Sequence, residues 1–159
     1  MSKFTDDVVI KVERESGRYE VFQEFEYYQE VNKESKILVP KGFKTDLASI
    51  PRFIWSFLPP NGKYQKAAIL HDYLCVMNRL SQELREGNHK GDKVEDGVSL
   101  PDGKEFMIWG KNEGKMIPLT RKITDKIFLE AMVVTNVKPW QCKLLYWSVR
   151  LFAILNGIK

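Results

Sequence analysis

The sequence predicts an α+β fold: an N-terminal antiparallel sheet packed against a layer of about four helices, with a β-hairpin inserted between them. Three observations carry this prediction. Residues 1–45 alternate apolar and polar positions, residues 46–85 and 120–156 repeat apolar positions at helical spacing, and residues 86–119 are broken up by glycines. A period of two places alternate side chains on opposite faces of a strand, whereas recurrence every three or four residues lines one side of a helix. With 159 residues, 43% of them hydrophobic, the chain is expected to form one domain around one core.

The elements follow in order. Val8 to Val12 is rich in β-formers, and Ser16-Gly17 makes a turn. Tyr19, Val21, Phe25, Tyr27 and Val31 then alternate with Glu20, Glu24, Glu26 and Glu30, a sheet with one buried and one wet face. Asn32 to Ser35 turns the chain, and Ile37-Leu38-Val39 begins a third strand that ends near Pro40-Lys41-Gly42. Pro51 suits a first helical turn with Ser49 or Ile50 as cap, giving a short helix through Phe53, Trp55 and Leu58. A longer helix runs from about Lys63 to Leu84, with Ala67, Leu70, His71, Leu74 and Met77 or Asn78 on one stripe.

The glycine-punctuated segment holds Leu100-Pro101-Asp102-Gly103, a turn in which Pro presets φ and Gly accepts a positive one. Val94–Val98 and Glu105–Trp109 flank it and are expected to pair as the inserted hairpin. Thr120 caps a helix from Arg121 to Asn136, and Pro139 starts the last helix, to about Leu155. In that last helix Trp140, Leu144, Trp147, Leu151 and Leu155 are expected to form the core-facing stripe.

Charge and cysteine usage narrow the function. The 25 basic and 21 acidic residues give a net charge of +4, and no run of five or six like charges appears. Nucleic-acid binders concentrate their Lys and Arg, so no strong nucleic-acid signal is present. Cys75 and Cys142 stand far apart with no CxxC pairing, which is not a secreted disulfide framework. The N-terminus lacks the apolar run of a signal peptide, and no stretch of about 18 apolar residues would span a membrane. The expected location is the cytoplasm of the cell that makes the protein.

Three segments can carry chemistry. His71-Asp72 puts an imidazole at a core-facing helix position, where it serves as metal ligand, general base or hydrogen-bonded core residue. His71 and Cys75 share a helix face, so zinc with Cys142 as a third ligand is one arrangement; an oxygen-rich set of Asp46, Asp72 and Asp125 around magnesium or manganese is another. Thr45 to Arg52 lies at a strand-to-helix junction, where Asp46 and Ser49 either cap free N–H groups or help bind an anion. Arg121 and Asp125 stand four apart, and Asp125 lies on the apolar face continued by Phe128 and Met132. A carboxylate there requires a partner such as His71 or Arg52, and Arg121 can grip a phosphate or carboxylate.

In this order, Thr45-Asp46-Leu47-Ala48-Ser49-Ile50-Pro51, His71-Asp72-Tyr73-Leu74-Cys75 and Arg121 through Asp125 to Phe128 resemble domain of unknown function 1353, a family carried by phages and prophages. Lys63 to Ala68 and Tyr146 to Arg150 also fit, so the resemblance spans about residues 37 to 155 without the glycine-rich segment. Cys75 stands where the family usually has tyrosine, and residues 86–119 are longer than is typical of it. The resemblance implies a phage setting, in the host cytoplasm or on the virion, and brings no activity with it.

The functional expectation is that Asp46, Ser49, His71, Asp72, Arg121 and Asp125 converge in one polar pocket. As an enzyme, the protein would be a hydrolase with His71, Asp72 and Asp125 catalytic, and Asp46, His71, Asp72 and Asp125 the candidate ligands of a divalent metal. As a binding protein it would hold a small anionic ligand through Asp46, Ser49, Arg121 and Tyr73. A host signalling nucleotide, captured as counter-defence, is one such ligand, with Tyr64, Tyr73 or Trp109 stacking its base. The alternative is a virion assembly or tail-associated factor whose polar cluster only stabilises the fold, its partner another phage or host protein.

Overall fold

The computed structural model describes residues 2–5, 7–13, 17–29, 36–47, 58, 62–88, 93–110 and 115–158. The expected short helix through Phe53 and Trp55, the cap and ligand residue Ser49, Arg52 and His89 lie outside the described residues. The fold is α+β, as the sequence predicts, with three α-helices and four small antiparallel sheets among the described residues.

The N-terminal region makes two three-stranded sheets. Strands β1 (Lys3–Phe4), β4 (Phe25–Tyr28) and β5 (Lys36–Val39) lie side by side in that order, with Phe25 opposite Val39 and Tyr27 opposite Ile37. Strands β2 (Ile10–Val12), β3 (Tyr19–Val21) and β6 (Lys44–Thr45) form the second, with Tyr19 opposite Thr45. The alternation from Tyr19 onward is real, since Val21, Phe25 and Tyr27 are all buried. It belongs to two strands in different sheets, however, because the chain leaves the ladder at Phe22-Gln23 before β4 begins.

Helix α1 (Gln65–Arg85) buries Ala67, Leu70, His71, Leu74, Met77 and Asn78, the stripe the spacing predicts. Helix α2 (Arg121–Val134) starts where the Thr120 hydroxyl accepts the Ile123 N–H at 3.4 Å. It stops at Asn136, whose φ of 55° takes the left-handed form, while the Val137 N–H reaches back to the Met132 carbonyl at 3.1 Å. Helix α3 (Pro139–Leu155) follows at once, with Pro139 in its first turn.

The side of α3 that faces inward corrects the expectation. Cys142, Leu145, Val149 and Ala153 are buried, whereas Trp147 is 55% exposed, Leu155 is 83% exposed, and Trp140, Leu144 and Leu151 also face out. Helix α3 carries apolar residues on both sides, so periodicity alone does not select the inner one. The smaller side chains of the Cys142–Ala153 stripe allow close approach, and they took the interior.

The glycine-rich segment also pairs differently. Strands β7 (Val94–Glu95) and β8 (Val98–Ser99) form their own two-residue hairpin through Asp96-Gly97, and β9 (Met107–Gly110) pairs with β10 (Lys115–Pro118). Asp96 and Gly97 have φ of 48° and 85°, the twist a tight hairpin needs. The Pro101-Asp102-Gly103 turn, a single 3-10 turn, links the two hairpins instead of closing one. Ion pairs from Arg79 to Glu95 and from Lys93 to Glu83 fasten the β7–β8 hairpin to α1, and the Lys44 N–H donates to the Asp96 carbonyl at 2.8 Å. The hairpin is thereby held beside β6.

Candidate functional site

Where α1, α2 and α3 meet, one carboxylate gathers three donors. Asp125, with no exposed surface, accepts from His71 Nε2 at 2.8 Å and from Arg121 Nε at 2.9 Å on one oxygen, and from Arg150 at 3.1 Å on the other. His71 is equally buried, and the Phe128 ring lies over its imidazole at 4.7 Å and 34°. The i to i+4 spacing of Arg121 and Asp125 gives a surface pair in many helices; here both are buried, because the same face carries Phe128 and Met132 into the core. Each helix thus supplies at least one member of a sealed polar knot.

Burial alone would drive the imidazole towards its neutral form. The electrostatic and hydrogen-bond contact with Cys75 and the hydrogen bond to Asp125 outweigh this, against the opposing charge of Arg121, and the His71 pKa stands at about 9 instead of the ordinary 6.5. Burial likewise pushes the Asp125 carboxyl up. Its hydrogen bond to His71, the imidazolium charge, the Arg121 charge and the Arg150 bond together hold it below the ordinary carboxylate value. The ion-paired form is therefore the resting one at neutral pH.

The other ring nitrogen of His71 lies near two neighbours on its own helix. Cys75 Sγ lies 3.8 Å from it and Asp72 Oδ1 3.9 Å from it. Asp72, almost fully buried, accepts a short hydrogen bond from the Thr45 hydroxyl, and that oxygen in turn accepts the Leu47 N–H at 3.0 Å. Leu47 has a φ of 56°, a left-handed conformation a bulky residue adopts at a cost of about 1–3 kcal/mol unless its surroundings fix it. Here the Thr45 hydroxyl holds it.

Asp72 and Cys75 also line an open pocket of about 190 Å³, with Arg18, Phe43, Lys44, Thr45, Asp46, Val76, Arg79 and Asp96 completing it. The β2–β3 turn, β6, α1 and the β7–β8 hairpin each contribute to this wall. Arg18 pairs with Asp96 at 3.3 Å across it, and Lys44 with Glu13 at 3.5 Å.

The expected single pocket is therefore two connected sites. Asp46 and Asp72 line the open one; His71, Asp125 and Arg121 sit in the sealed knot, and Asp72 stands between them. Tyr73 is in the core, its ring edge-on to Phe43 at 5.5 Å and Phe106 at 6.2 Å, with burial pushing its phenol up to about 12. Among the described residues no group of three or more His, Cys, Asp or Glu side chains is arranged to hold a metal ion. Asp125 instead spends its oxygens on the imidazole and the guanidiniums, and the Cys142 thiol is directed to the Val137 carbonyl at 3.5 Å. Arg150 was missed as a site residue, although it stands beside the buried Val149 in a mostly apolar helix. Arg18, Arg79 and Asp96 carried no signal, because only the tertiary fold brings them together.

Comparison with known proteins adds family membership. Over 39 residues the chain is 49% identical to "Uncharacterized protein y4jT" of Sinorhizobium fredii (strain NBRC 101917 / NGR234), a match that covers 23% of this chain and 12% of that protein. No solved structure matches the chain. Residues 19–149 match the family described as "Protein of unknown function (DUF1353)", and the chain belongs to that family.

Proposed function

We propose that the protein binds a compact polar ligand bearing an anionic group in the pocket beside β6 and α1. The observation that carries this reading is the convergence of four chain segments on one open hollow with Arg18, Lys44 and Arg79 set against Asp46, Asp72 and Asp96. Cations of this kind hold a phosphate or carboxylate, and the carboxylates take hydroxyl or amine donors of the same ligand. At about 190 Å³ the pocket is smaller than the roughly 300–1,000 Å³ of sites that enclose a drug-sized molecule. It suits a sugar phosphate, or the phosphate-bearing end of a nucleotide, and that end is the form the counter-defence expectation takes here.

Calorimetric titration with ribose 5-phosphate, adenosine monophosphate and inorganic phosphate tests the reading. Binding that disappears in Arg79→Ala supports it. No heat with any of them, at concentrations that saturate ordinary phosphate sites, refutes it.

A second reading, an assembly factor, is favoured by the outward apolar side of α3, where Trp140, Leu144, Trp147, Leu151 and Leu155 are exposed. Sedimentation of the wild type beside a Trp147→Lys, Leu151→Lys variant tests it. A wild type that sediments as a monomer like the variant, with no partner gained, removes that reading.

A further inference from the structure

We propose that the outward side of α3 docks on an anionic lipid membrane, with the helix lying flat in the headgroup layer. This surface is separate from the pocket, none of whose lining residues belongs to α3. Trp140, Leu144, Trp147, Leu151, Ile154 and Leu155 stand at helical spacing and are all exposed, so six large apolar side chains share one side of the helix in water. The opposite side, Cys142, Leu145, Val149 and Ala153, is already buried. Helix α3 therefore has two apolar sides, and the described residues cover only one of them.

The apolar surface continues onto α2. Val133 is exposed there and lines a groove of about 560 Å³ together with Leu129, Val137 and Pro139, and Lys138 and Lys143 stand at the same groove.

Charge and area select the occupant. From Ala131 to Lys159 the chain carries Lys138, Lys143, Arg150 and Lys159 and no Asp or Glu. Lys138 and Lys143 are exposed, and Lys143 lies one turn before Trp147, at the edge of the apolar stripe; Arg150 turns back to Asp125. Two copies joined through this side would set lysine against lysine, with no carboxylate of the segment to answer them. The footprint is also small for a dimer. A helix of 17 residues is roughly 25 Å long and 10 Å wide, about 250 Å² per copy, against the roughly 800 Å² each partner gives to a stable interface.

For a membrane surface the same footprint suffices. An interfacial helix buries one apolar face about 5–10 Å into the boundary between headgroups and acyl chains, while its cations meet anionic headgroups. Tryptophan suits that boundary, because its ring is apolar and its N–H donates to headgroup oxygens, and lysine stems reach the headgroups from the helix edge. No helix among the described residues is long and apolar enough to cross a membrane, and the contact proposed is with its surface.

Co-sedimentation of the intact protein with extruded vesicles tests this. Each lysine at an anionic surface is worth roughly fivefold in affinity, so Lys138 and Lys143 should make binding to equal parts phosphatidylcholine and phosphatidylglycerol at least about tenfold tighter than to phosphatidylcholine alone. Trp147→Lys, Leu151→Lys should abolish the partition and leave the phosphate titrations of the pocket unchanged, since neither residue lines it; the two readings therefore fail separately. Brominated phosphatidylglycerol gives a readout on the wild type, should that variant not fold: it quenches tryptophans that enter the bilayer, and the quenching should fall in Trp140→Phe, Trp147→Phe. No partition into either vesicle, equal partition into both, unquenched tryptophans, or partition retained by the double-lysine variant overturns the proposal. A wild type that self-associates and ignores the vesicles overturns it in favour of the assembly reading.

Discussion

Asp125→Ala removes the one carboxylate that holds α1, α2 and α3 together, and its cost can be worked from the structure. Three charge-assisted bonds are lost, from His71 at 2.8 Å, Arg121 at 2.9 Å and Arg150 at 3.1 Å. At about 1.5–3 kcal/mol each, their simple sum would exceed the effect, because bonds in one network are not additive. Arg150, whose side chain is 20% exposed, regains water, whereas Arg121 at 8% and His71 at 0% do not. Removing one partner of a buried ion pair costs about 3–5 kcal/mol, chiefly through the charge left behind, and that is the expected loss. For a chain of this length about 4 kcal/mol lowers Tm by roughly 8–16 °C. Urea unfolding followed by tryptophan fluorescence, together with calorimetric melting, measures it. A loss under about 1 kcal/mol would mean that water reaches the cluster, and the argument for a sealed knot would be refuted.

The remaining predictions follow from single observations. His71 is held above its ordinary value, so its contribution to stability is fully present below about 6.5 and is lost as pH rises through about 9. Urea midpoints across pH 6 to 10 should fall over that window in the wild type, and Cys75→Ser should move the fall to lower pH because the sulfur contact that helps raise His71 is gone. Asp125 acts in the opposite sense: its folded-state value is depressed, so its contribution is present above the ordinary carboxylate range and disappears as acid titrates it, which acid unfolding curves of wild type and Asp125→Asn would show. On α3, Leu145→Ala should cost about 2–5 kcal/mol and Trp147→Ala under about 0.5 kcal/mol, and the reverse order in urea melts would mean the helix is turned the other way. Gly97→Ala places a Cβ 2.4 Å from the Gly42 carbonyl oxygen at a φ of +85°, and a loss of more than about 1 kcal/mol in thermal melts is expected.

The sequence exposed what is local and periodic. Helix α1 was legible to within about two residues because Ala67, Leu70, His71, Leu74 and Met77 recur at helical spacing; that Ile69, Tyr73, Val76 and Leu80 are buried on its other sides was not. The Thr120 cap and Pro139 start were legible because both act within a single turn. Asp96-Gly97 was a stronger hairpin signal than Pro101 to Gly103, since only the former closes two strands with two residues of positive φ. It was overlooked because the flanking strands are two residues long, too short for alternation to register.

On α3 the periodic signal existed on both sides, and the bulkier stripe was the wrong one: Cys142, Leu145, Val149 and Ala153 face inward. The site was partly readable for the same reasons. An imidazole and a carboxylate on apolar helix faces must find partners, and His71 and Asp125 found each other. That they would be sealed away from the pocket, with only Asp72 and Cys75 reaching it, depends on the docking of β6 and the β7–β8 hairpin, and no spacing within one segment encodes that.

Charge balance explains why a sealed knot and an open pocket form one electrostatic unit. Arg121 and Arg150 are permanently charged, and Asp125 compensates one of them. With His71 protonated as well, three cationic groups stand against one buried carboxylate. Arg150 is partly solvated, but Arg121 and the imidazole are not, so the interior requires further negative charge close by. Besides Asp125, the carboxylate within reach of the imidazole is Asp72 at 3.9 Å, and it lies on the pocket side. The Arg121 charge opposes the proton on His71, and the hydrogen bond to Asp125 is among the contacts that outweigh it.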